Sequence, residues 1–224
     1  MKTLLATTSA AILVAALSLP AWAGDRSSAK RDVVTQHDLS GFDKIEVSGV
    51  YELDIREGDR FSVRTEATEK DARRQDVTVS NGRLILAAND DEKRNWNPGD
   101  RDGSILAVIT LPRLSGLEVA GVATGEVSAF TGGNLSVEIA GVGNLELSGE
   151  CDSLEIEMAG VGEVDAEDLV CEDVEATLGG VGELSVHATR RVEANAGGIG
   201  QIEVYGDPGI RDVSDGFMAK VRFD

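Results

Sequence analysis

The sequence is poor in the residues that most active sites require. It has only two histidines, His37 and His187, and these are far apart in the chain. A zinc site or a histidine-based catalytic triad therefore has almost no histidines to draw on. The sequence also lacks Gly-x-Ser-x-Gly, the phosphate-binding loop with its lysine, and His-Glu-x-x-His. We therefore predict no catalytic residues and no cofactor.

Lysine and arginine are missing from one long stretch. Residues 114–189 contain 16 acidic residues and no basic one, and the net charge of the whole chain is −19. Such a surface repels nucleic acid and anionic lipid, so we expect no nucleic-acid partner. It attracts cations or basic partners. Alternatively, the acids only keep a β-rich protein soluble and its strands from aggregating.

Long apolar runs are scarce as well. The main one, Leu4 to Leu19, follows Lys2 and precedes Ala21-Trp22-Ala23. This order predicts a secretory signal peptide over residues 1–23, cleaved between Ala23 and Gly24. No later run is long enough to span a bilayer. We expect an exported protein, periplasmic or extracellular, without an integral membrane segment once the signal is removed.

We predict that the mature chain consists of a flexible lead-in over residues 24–38 and one domain over residues 39–224. Short alternating runs with turn residues between them predict strands from Lys44 to Ala88, and Asn81-Gly82 predicts a hairpin. Residues 68–75 are compatible with one or two helical turns. Residues 89–103 form a long polar loop around Trp96, of the kind that is often functional or disordered.

Glycine is abundant and periodic. A phrase close to Ala-Gly-Val-Gly occurs five times, with its first motif glycine at positions 121, 141, 160, 180 and 198. The spacings are 20, 19, 20 and 18 residues. Such a period, with strand-like residues between the glycines, is the signature of a solenoid that adds one coil per repeat.

The repeats predict which residues stack. Apolar residues two, four and six positions before each motif glycine should face the core. We also predict that the residue after the glycine is buried; these residues are Val122, Val142, Val161, Val181 and Ile199. The predicted fold is an all-β, single-domain β-solenoid with coils of about 20 residues over residues 105–205 and an N-terminal β cap. A right-handed parallel β-helix is the default.

One outward column is acidic. Glu118, Glu138 and Glu157 lie three positions before successive motif glycines, so they should stack about 4.8 Å apart. Their repulsion requires water, protonation or cations, since no Lys or Arg lies nearby in the sequence. They are weak candidates for Ca²⁺ ligands, and the alternative is a solvated face. Gly197 to Ile202 lacks the aspartate of the nonapeptide calcium repeat.

The two cysteines are one period apart. Cys151 and Cys171 each lie nine residues before a motif glycine, so they should occupy the same place on adjacent coils. Stacked Cα atoms lie within the range that a disulfide accepts, and an exported protein meets an oxidising compartment. We predict a structural disulfide, with stacked free thiols as the alternative.

Several segments together resemble a known family. They are residues 42–55 (FDKIEVSGVYELDI), 81–85 (NGRLI), 109–114 (ITLPRL) and the repeated Ala-Gly-Val-Gly phrase. In this order and spacing they resemble the head GIN domain family, a family of unknown function that is also labelled "putative autotransporter adhesin". The resemblance covers about residues 39–224. It implies a bacterial exported β-helix-like domain and, by its name, adhesion. It carries over no catalytic residues.

These observations favour a non-enzymatic envelope protein that is adhesin-like and presents a repetitive acidic face to an envelope glycan or protein. The alternative function is a polysaccharide-active enzyme of the envelope on a β-helix scaffold. A pocket that holds two carboxylates about 5–10 Å apart beside a basic residue would favour the enzyme. Uniform exposed ladders would favour the binding module.

Overall fold

The structure, a computed structural model, describes residues 31–88 and 104–224. The predicted signal peptide with its cleavage site, residues 24–30 of the predicted lead-in, and the loop over 89–103 lie outside the described residues. In the described part, the single helix α1 (Glu69–Arg74) accompanies sixteen strands. The predicted all-β class is confirmed.

The first half of the chain forms the cap and two layers of the solenoid. Its strands are β1 (Val33–His37), β2 (Lys44–Val47), β3 (Val50–Glu57), β4 (Ser62–Ala67), β5 (Gln75–Ser80), β6 (Arg83–Ala88) and β7 (Ile105–Leu111). Helix α1 lies between β4 and β5, where a helical turn was predicted. Its N-cap is Thr68, whose side chain accepts a hydrogen bond from the backbone N–H of Asp71.

The second half of the chain forms the repeating coils. Its strands are β8 (Gly116–Val119), β9 (Val122–Thr131), β10 (Asn134–Ile139), β11 (Val142–Met158), β12 (Val161–Leu178), β13 (Val181–Ala196), β14 (Ile199–Tyr205), β15 (Ile210–Asp215) and β16 (Met218–Phe223). The parallel coils therefore continue to residue 223, beyond the limit of 205 that the repeats predicted.

Two long parallel ladders run through the molecule. One stacks β7, β3, β9, β11, β12, β13, β14 and β16 in that order. The other stacks β6, β2, β8, β10, β11, β12, β13 and β15. Register shifts near residues 147–149 and 166–170 divide the long strands, and the segments that follow the shifts form a third, short ladder. This ladder contains both cysteines. Strands that take part in two ladders show where one coil passes into the next.

The stacking order departs from the chain order at the N-terminal end. Strands β2 and β3 lie between β6 and β7 on one side and β8 and β9 on the other, although β6 and β7 come later in the chain. Beyond this layer the predicted cap is formed by antiparallel strands: β4 pairs with β7, β1 with β4, and β5 with β6.

The predicted hairpin is confirmed in the cap. Ser80 pairs with Arg83 across Asn81-Gly82, and both turn residues have positive φ, 50° and 75°. This is the backbone that a two-residue type I′ turn requires. One prediction for this region needs correction. Residues 33–37 form strand β1, paired with β4 from Val33↔Ala67 to His37↔Val63, whereas they were predicted to be part of a flexible lead-in.

The core follows the predicted inward columns. Residues two and four positions before the motif glycines are buried, and one cluster of buried apolar side chains extends from Phe42 in the cap to Ala219 in β16. One column was predicted incorrectly. Val122, Val142, Val161, Val181 and Ile199 stack in register as expected, but their exposed fractions lie between 37% and 51%.

The reason is that the alternation of side chains continues unbroken through the glycine corner. Val119 points inward, Ala120 outward and Val122 outward again, so that the buried residue after the corner is Ala123. β-branched residues suit an extended backbone whether or not they are buried. The prediction that this column is buried was therefore wrong because it relied on the apolar character of the side chains alone.

The C-terminal end of the solenoid carries both charged side chains and exposed apolar ones, which include Val213, Phe217 and Phe223. Pairing of β13 with β15 places Arg211 and Asp215 in columns that carry buried aliphatic residues in the coil before. The Arg211 guanidinium lies 4.4 Å from the centre of the Phe223 ring. Asp215 accepts a hydrogen bond of 2.8 Å from the backbone N–H of Val221. The side chains of Arg211 and Asp215 are both exposed to water.

Candidate functional site

The most regular exposed feature of the molecule is the column of residues that follows each glycine corner. We call it the corner ladder. Its members pair in register through all the layers from β3 to β16: Val50, Val122, Val142, Val161, Val181, Ile199 and Met218. All seven side chains are exposed. Contiguous exposed apolar surface commonly marks an interaction site.

The residue before each motif glycine broadens this apolar strip. Ala120, Ala140, Ala159, Gly179 and Gly197 are all exposed and carry little or no side chain. The glycine between the two columns is required by packing, because the backbone of the preceding coil lies where a Cβ atom would be. The corner is therefore a smooth apolar ridge, two residues wide, that runs along the stack.

An acidic column borders the ridge on one side. Glu46, Glu118, Glu138 and Glu157 are in register on successive strands, which confirms the predicted stacking of the three candidate glutamates. Beyond Glu157 the column continues as Thr177. The carboxylates are exposed or half-buried, so the column faces outward as the sequence predicted.

Arg83 corrects one part of that prediction. Its guanidinium forms ion pairs with both Glu46 and Glu118, the former at 3.2 Å. The hydrogen bond to Glu118 raises the pKa of Arg83 above its ordinary value. Repulsion at this end of the column is therefore relieved by a basic residue of the cap, and not only by water, protonation or cations. In residues 31–88 and 104–224, no Lys or Arg forms an ion pair with Glu138 or Glu157.

A second polar column borders the ridge on the other side. Asn144, Glu163, Glu183 and Gln201 pair in register just after the corner. The Gln201 side-chain amide donates a hydrogen bond to a carboxylate oxygen of Glu183. The apolar ridge thus lies between two columns that are acidic in the middle coils.

An open groove lies beside this second column, over Gly125. It has a volume of about 670 Å³ and is open to solvent. Six carboxylates line it: Glu52, Asp54, Glu126, Glu146, Glu163 and Asp165. Two arginines lie at one end, where Arg56 pairs with Asp54 and Glu126, and Arg31 pairs with Glu52.

This groove contains the residue types that the enzyme alternative required. Four of its acids, Glu126, Glu146, Glu163 and Asp165, are exposed to solvent. The side chain of Glu126 is 50% exposed and that of Glu52 is 44% exposed. The groove is therefore an open, largely acidic surface.

The remaining candidate residues do not converge on a site. His37 bonds to Thr65 at 3.0 Å in the cap, where burial lowers the pKa of its imidazole. His187 bonds to the backbone oxygen of Glu167 at 3.1 Å on a middle coil. In the part of the chain that the structure describes, no three His, Cys, Asp or Glu side chains are grouped so that they could hold a metal ion.

Cys151 and Cys171 pair in register on adjacent coils, with Cα atoms 4.5 Å apart, and the structure joins them as a disulfide. Both side chains are buried. They lie away from the corner ladder, on the short third ladder. This position makes them a link between two coils. They are not part of the exposed face.

Sequence reasoning missed two features of this site. The residues of the corner ladder were predicted to stack as one column, but they were assigned to the core. The signal for their exposure was the strict alternation of inward and outward side chains from Val119 to Ala123. The contact of Arg83 with Glu118 joins residues 35 positions apart and has no local signal.

The comparisons with known proteins agree with this architecture. A family model described as "putative auto-transporter adhesin, head GIN domain" matches residues 41–208. A crystal structure of a "putative adhesin" from Bacteroides fragilis NCTC 9343 has a TM-score of 0.66 and 21% identity, over 86% of this chain and 96% of that one. Its likeness shows the fold.

Another solved structure, a "putative adhesin" from Parabacteroides merdae ATCC 43184, has a TM-score of 0.46 and 15% identity, over 86% of this chain and 95% of that one. A search of curated proteins found no match. None of the helices in residues 31–88 and 104–224 has the length and apolar character needed to cross a bilayer. Since the family model covers more than half of the sequence, the chain belongs to the head GIN domain family, whose description is that of an adhesin.

Proposed function

We propose that this protein is an exported, non-enzymatic binding module of the bacterial envelope that acts in an adhesin-like way. The observation that supports the proposal best is the in-register repetition of exposed side chains along the corner ladder and its two bordering columns. A stack of coils is rigid and presents the same chemistry at each step, which suits a partner that makes extended contact.

The partner in this proposal is an envelope component, a glycan or a protein, that meets the corner face. The signal-peptide pattern at residues 1–23 and the family description both support an exported or envelope-associated location, in the periplasm or outside the cell. The acidic middle coils disfavour nucleic acid and anionic lipid as partners, because binding of either depends on basic residues.

The test is sedimentation of purified residues 24–224 with an envelope preparation. We expect saturable binding, and no time-dependent release of reducing sugar ends from the envelope material. An unrelated exported protein of similar size and net charge serves as the control for non-specific adsorption. Binding no stronger than that of the control would contradict the proposal. Steady release of reducing ends would instead support a polysaccharide-active enzyme.

A further inference from the structure

The corner ladder offers side chains for binding but no free backbone groups. Its strands are stacked, so their N–H and C=O groups bond to the coils on either side. The backbone N–H of Val161 donates to Gly141 O, and that of Val181 donates to Gly160 O, at 2.9 and 3.0 Å. A partner cannot add a strand there as it would at a sheet edge. It has to engage the apolar side chains themselves.

The charges around the ladder restrict the partner further. In the middle coils, Glu138 and Glu157 stand on one side of the ridge and Glu163 and Glu183 on the other. A second copy of this chain would bring its own acidic columns against these, and each chain has a net charge of −19. Like charges across an interface are strongly unfavourable. The fitting partner has an apolar stripe with basic side chains on both sides.

The dimensions fit an α-helix. From Val122 to Ile199 the ladder has five residues and therefore four steps, which at strand spacing cover about 19 Å. A helix of that length has about 13 residues. Its side chains at i, i+3 and i+4 lie about 5–6 Å apart, close to the strand spacing of about 4.8 Å. The apolar stripe of such a helix can therefore meet the ladder at successive steps, while its Lys and Arg side chains reach the acidic columns.

We propose that the corner ladder between Val122 and Ile199 docks a basic amphipathic helix of a partner protein. This inference deepens the proposed function and rests on it. The apolar contact holds the helix on the ridge, and the glutamates on both sides select for basic flanks and against acidic ones.

The probe is a fluorescent peptide of about 14 residues, made of Leu and Lys, with its leucines on one helical face. A scrambled peptide of the same composition has the same charge without the apolar stripe. We expect saturable binding of the first peptide in fluorescence anisotropy, at least about tenfold tighter than binding of the second. Binding should weaken at about 0.5 M salt, where the charges are screened, without being abolished.

Two sets of variants locate the site. Val142→Thr, Val161→Thr and Val181→Thr together keep the shape and β-branching of the ladder but remove methyl groups from its surface; we expect a loss of about tenfold in affinity. Val170→Thr is the matched control, because Val170 is 37% exposed on another ladder. Glu138→Gln with Glu157→Gln should also weaken binding, whereas Glu150→Gln with Glu167→Gln should not. Melting curves of all variants confirm that they are folded.

Equal binding of the two peptides would overturn this proposal, because it would mean attraction by charge alone. Absence of binding, or equal losses in the control variants, would overturn it as well. The proposed function is judged separately by envelope sedimentation of the same proteins. If wild-type protein sediments with the envelope but does not bind the amphipathic peptide, only the docking inference fails. If it does not sediment, the proposed function fails.

Discussion

The carbonyl oxygen of Gly141 lies 2.0 Å from the point that a Cβ atom on Gly160 would occupy. The two glycines hold the same position on adjacent coils, and the backbone of one coil passes over the other without room for a methyl group. The same relationship recurs between Gly160 and Gly180, at 1.9 Å. Close packing of backbones therefore explains the repeat of this glycine better than a positive φ does.

Gly160→Ala should destabilise the protein strongly, because the added methyl group forces two coils apart. We expect a loss of about 3 kcal/mol or more in the free energy of unfolding. Gly179→Ala is the matched control: the nearest atom to its Cβ would be 3.8 Å away, and three of the five repeats already have Ala there. It should be neutral or stabilising by up to about 1 kcal/mol. Urea unfolding measures both, and equal midpoints would contradict this account of the corner.

Val161→Asp and Val164→Asp distinguish the ladder from the core. Val161 is exposed, so its replacement should cost no more than about 1 kcal/mol of stability. Val164 is fully buried, so an unpaired carboxylate there should cost several kcal/mol, on the order of 4. The sequence alone predicted that Val161 is buried, and burial would make Val161→Asp as costly as Val164→Asp. Comparable losses for the two variants, measured by urea unfolding, would restore that earlier assignment.

Cys151 and Cys171 should be found oxidised in protein from an exported preparation. We expect no reactive thiol when unreduced protein is unfolded and labelled. Two labelled sulfhydryls would contradict the disulfide. Replacing both cysteines by serine should lower the free energy of unfolding by roughly 3 kcal/mol, since the bond closes a loop of about 20 residues. The variant Ser153→Ala, on the same coil, is a suitable control.

The acidic column should respond to ionic strength without a preference for calcium. Arg83 already neutralises one end of the column, and residues 31–88 and 104–224 contain no group of three ligands fit for a metal. CaCl₂ and NaCl at equal ionic strength should therefore raise the Tm equally. A larger increase with CaCl₂ that Glu138→Gln reduces would show that the glutamates bind the ion.

Asp215 should make stability depend on pH at the acidic end. The hydrogen bond from the backbone N–H of Val221, with a further contribution from Lys220, lowers the pKa of Asp215 below its ordinary value of 3.8. The stabilisation is therefore complete above pH 3.8 and is lost as the pH falls through the lower folded-state pKa. Asp215→Asn should be less stable than wild type near neutral pH and equally stable at low pH. An NMR titration midpoint at or above 3.8 would contradict this.

Local regularities made much of the fold predictable. The period of the glycines gave the coil length, alternation gave the buried columns before the corner, and one period between the cysteines placed Cys151 on Cys171. These depend only on residues within a strand or one repeat. The stacking of Glu118, Glu138 and Glu157 was predicted for the same reason.

Two kinds of feature were not predicted from the sequence. One kind depends on pairing between strands far apart in the chain, and the other on whether an apolar side chain is buried or exposed. No local pattern shows that β2 and β3 lie between two layers, with β6 and β7 on one side and β8 and β9 on the other. Arg83 reaches Glu118 only because of that layer order. The corner ladder was misassigned because valine suits a strand on either face, so its exposure follows only from counting alternation through the glycine.

The layer order also determines when each strand can find its partners. Among the strands of the two parallel ladders, β2 and β3 come first in the chain, yet their neighbours on both sides are not complete until β9 has formed. Formation of that first layer involves contacts of high sequence separation and should be the slow step of folding. Each later coil finds a finished template about 20 residues behind it and can add in turn. Loss of the last coils would shorten the protein, whereas loss of β7 would leave the whole stack without a starting layer.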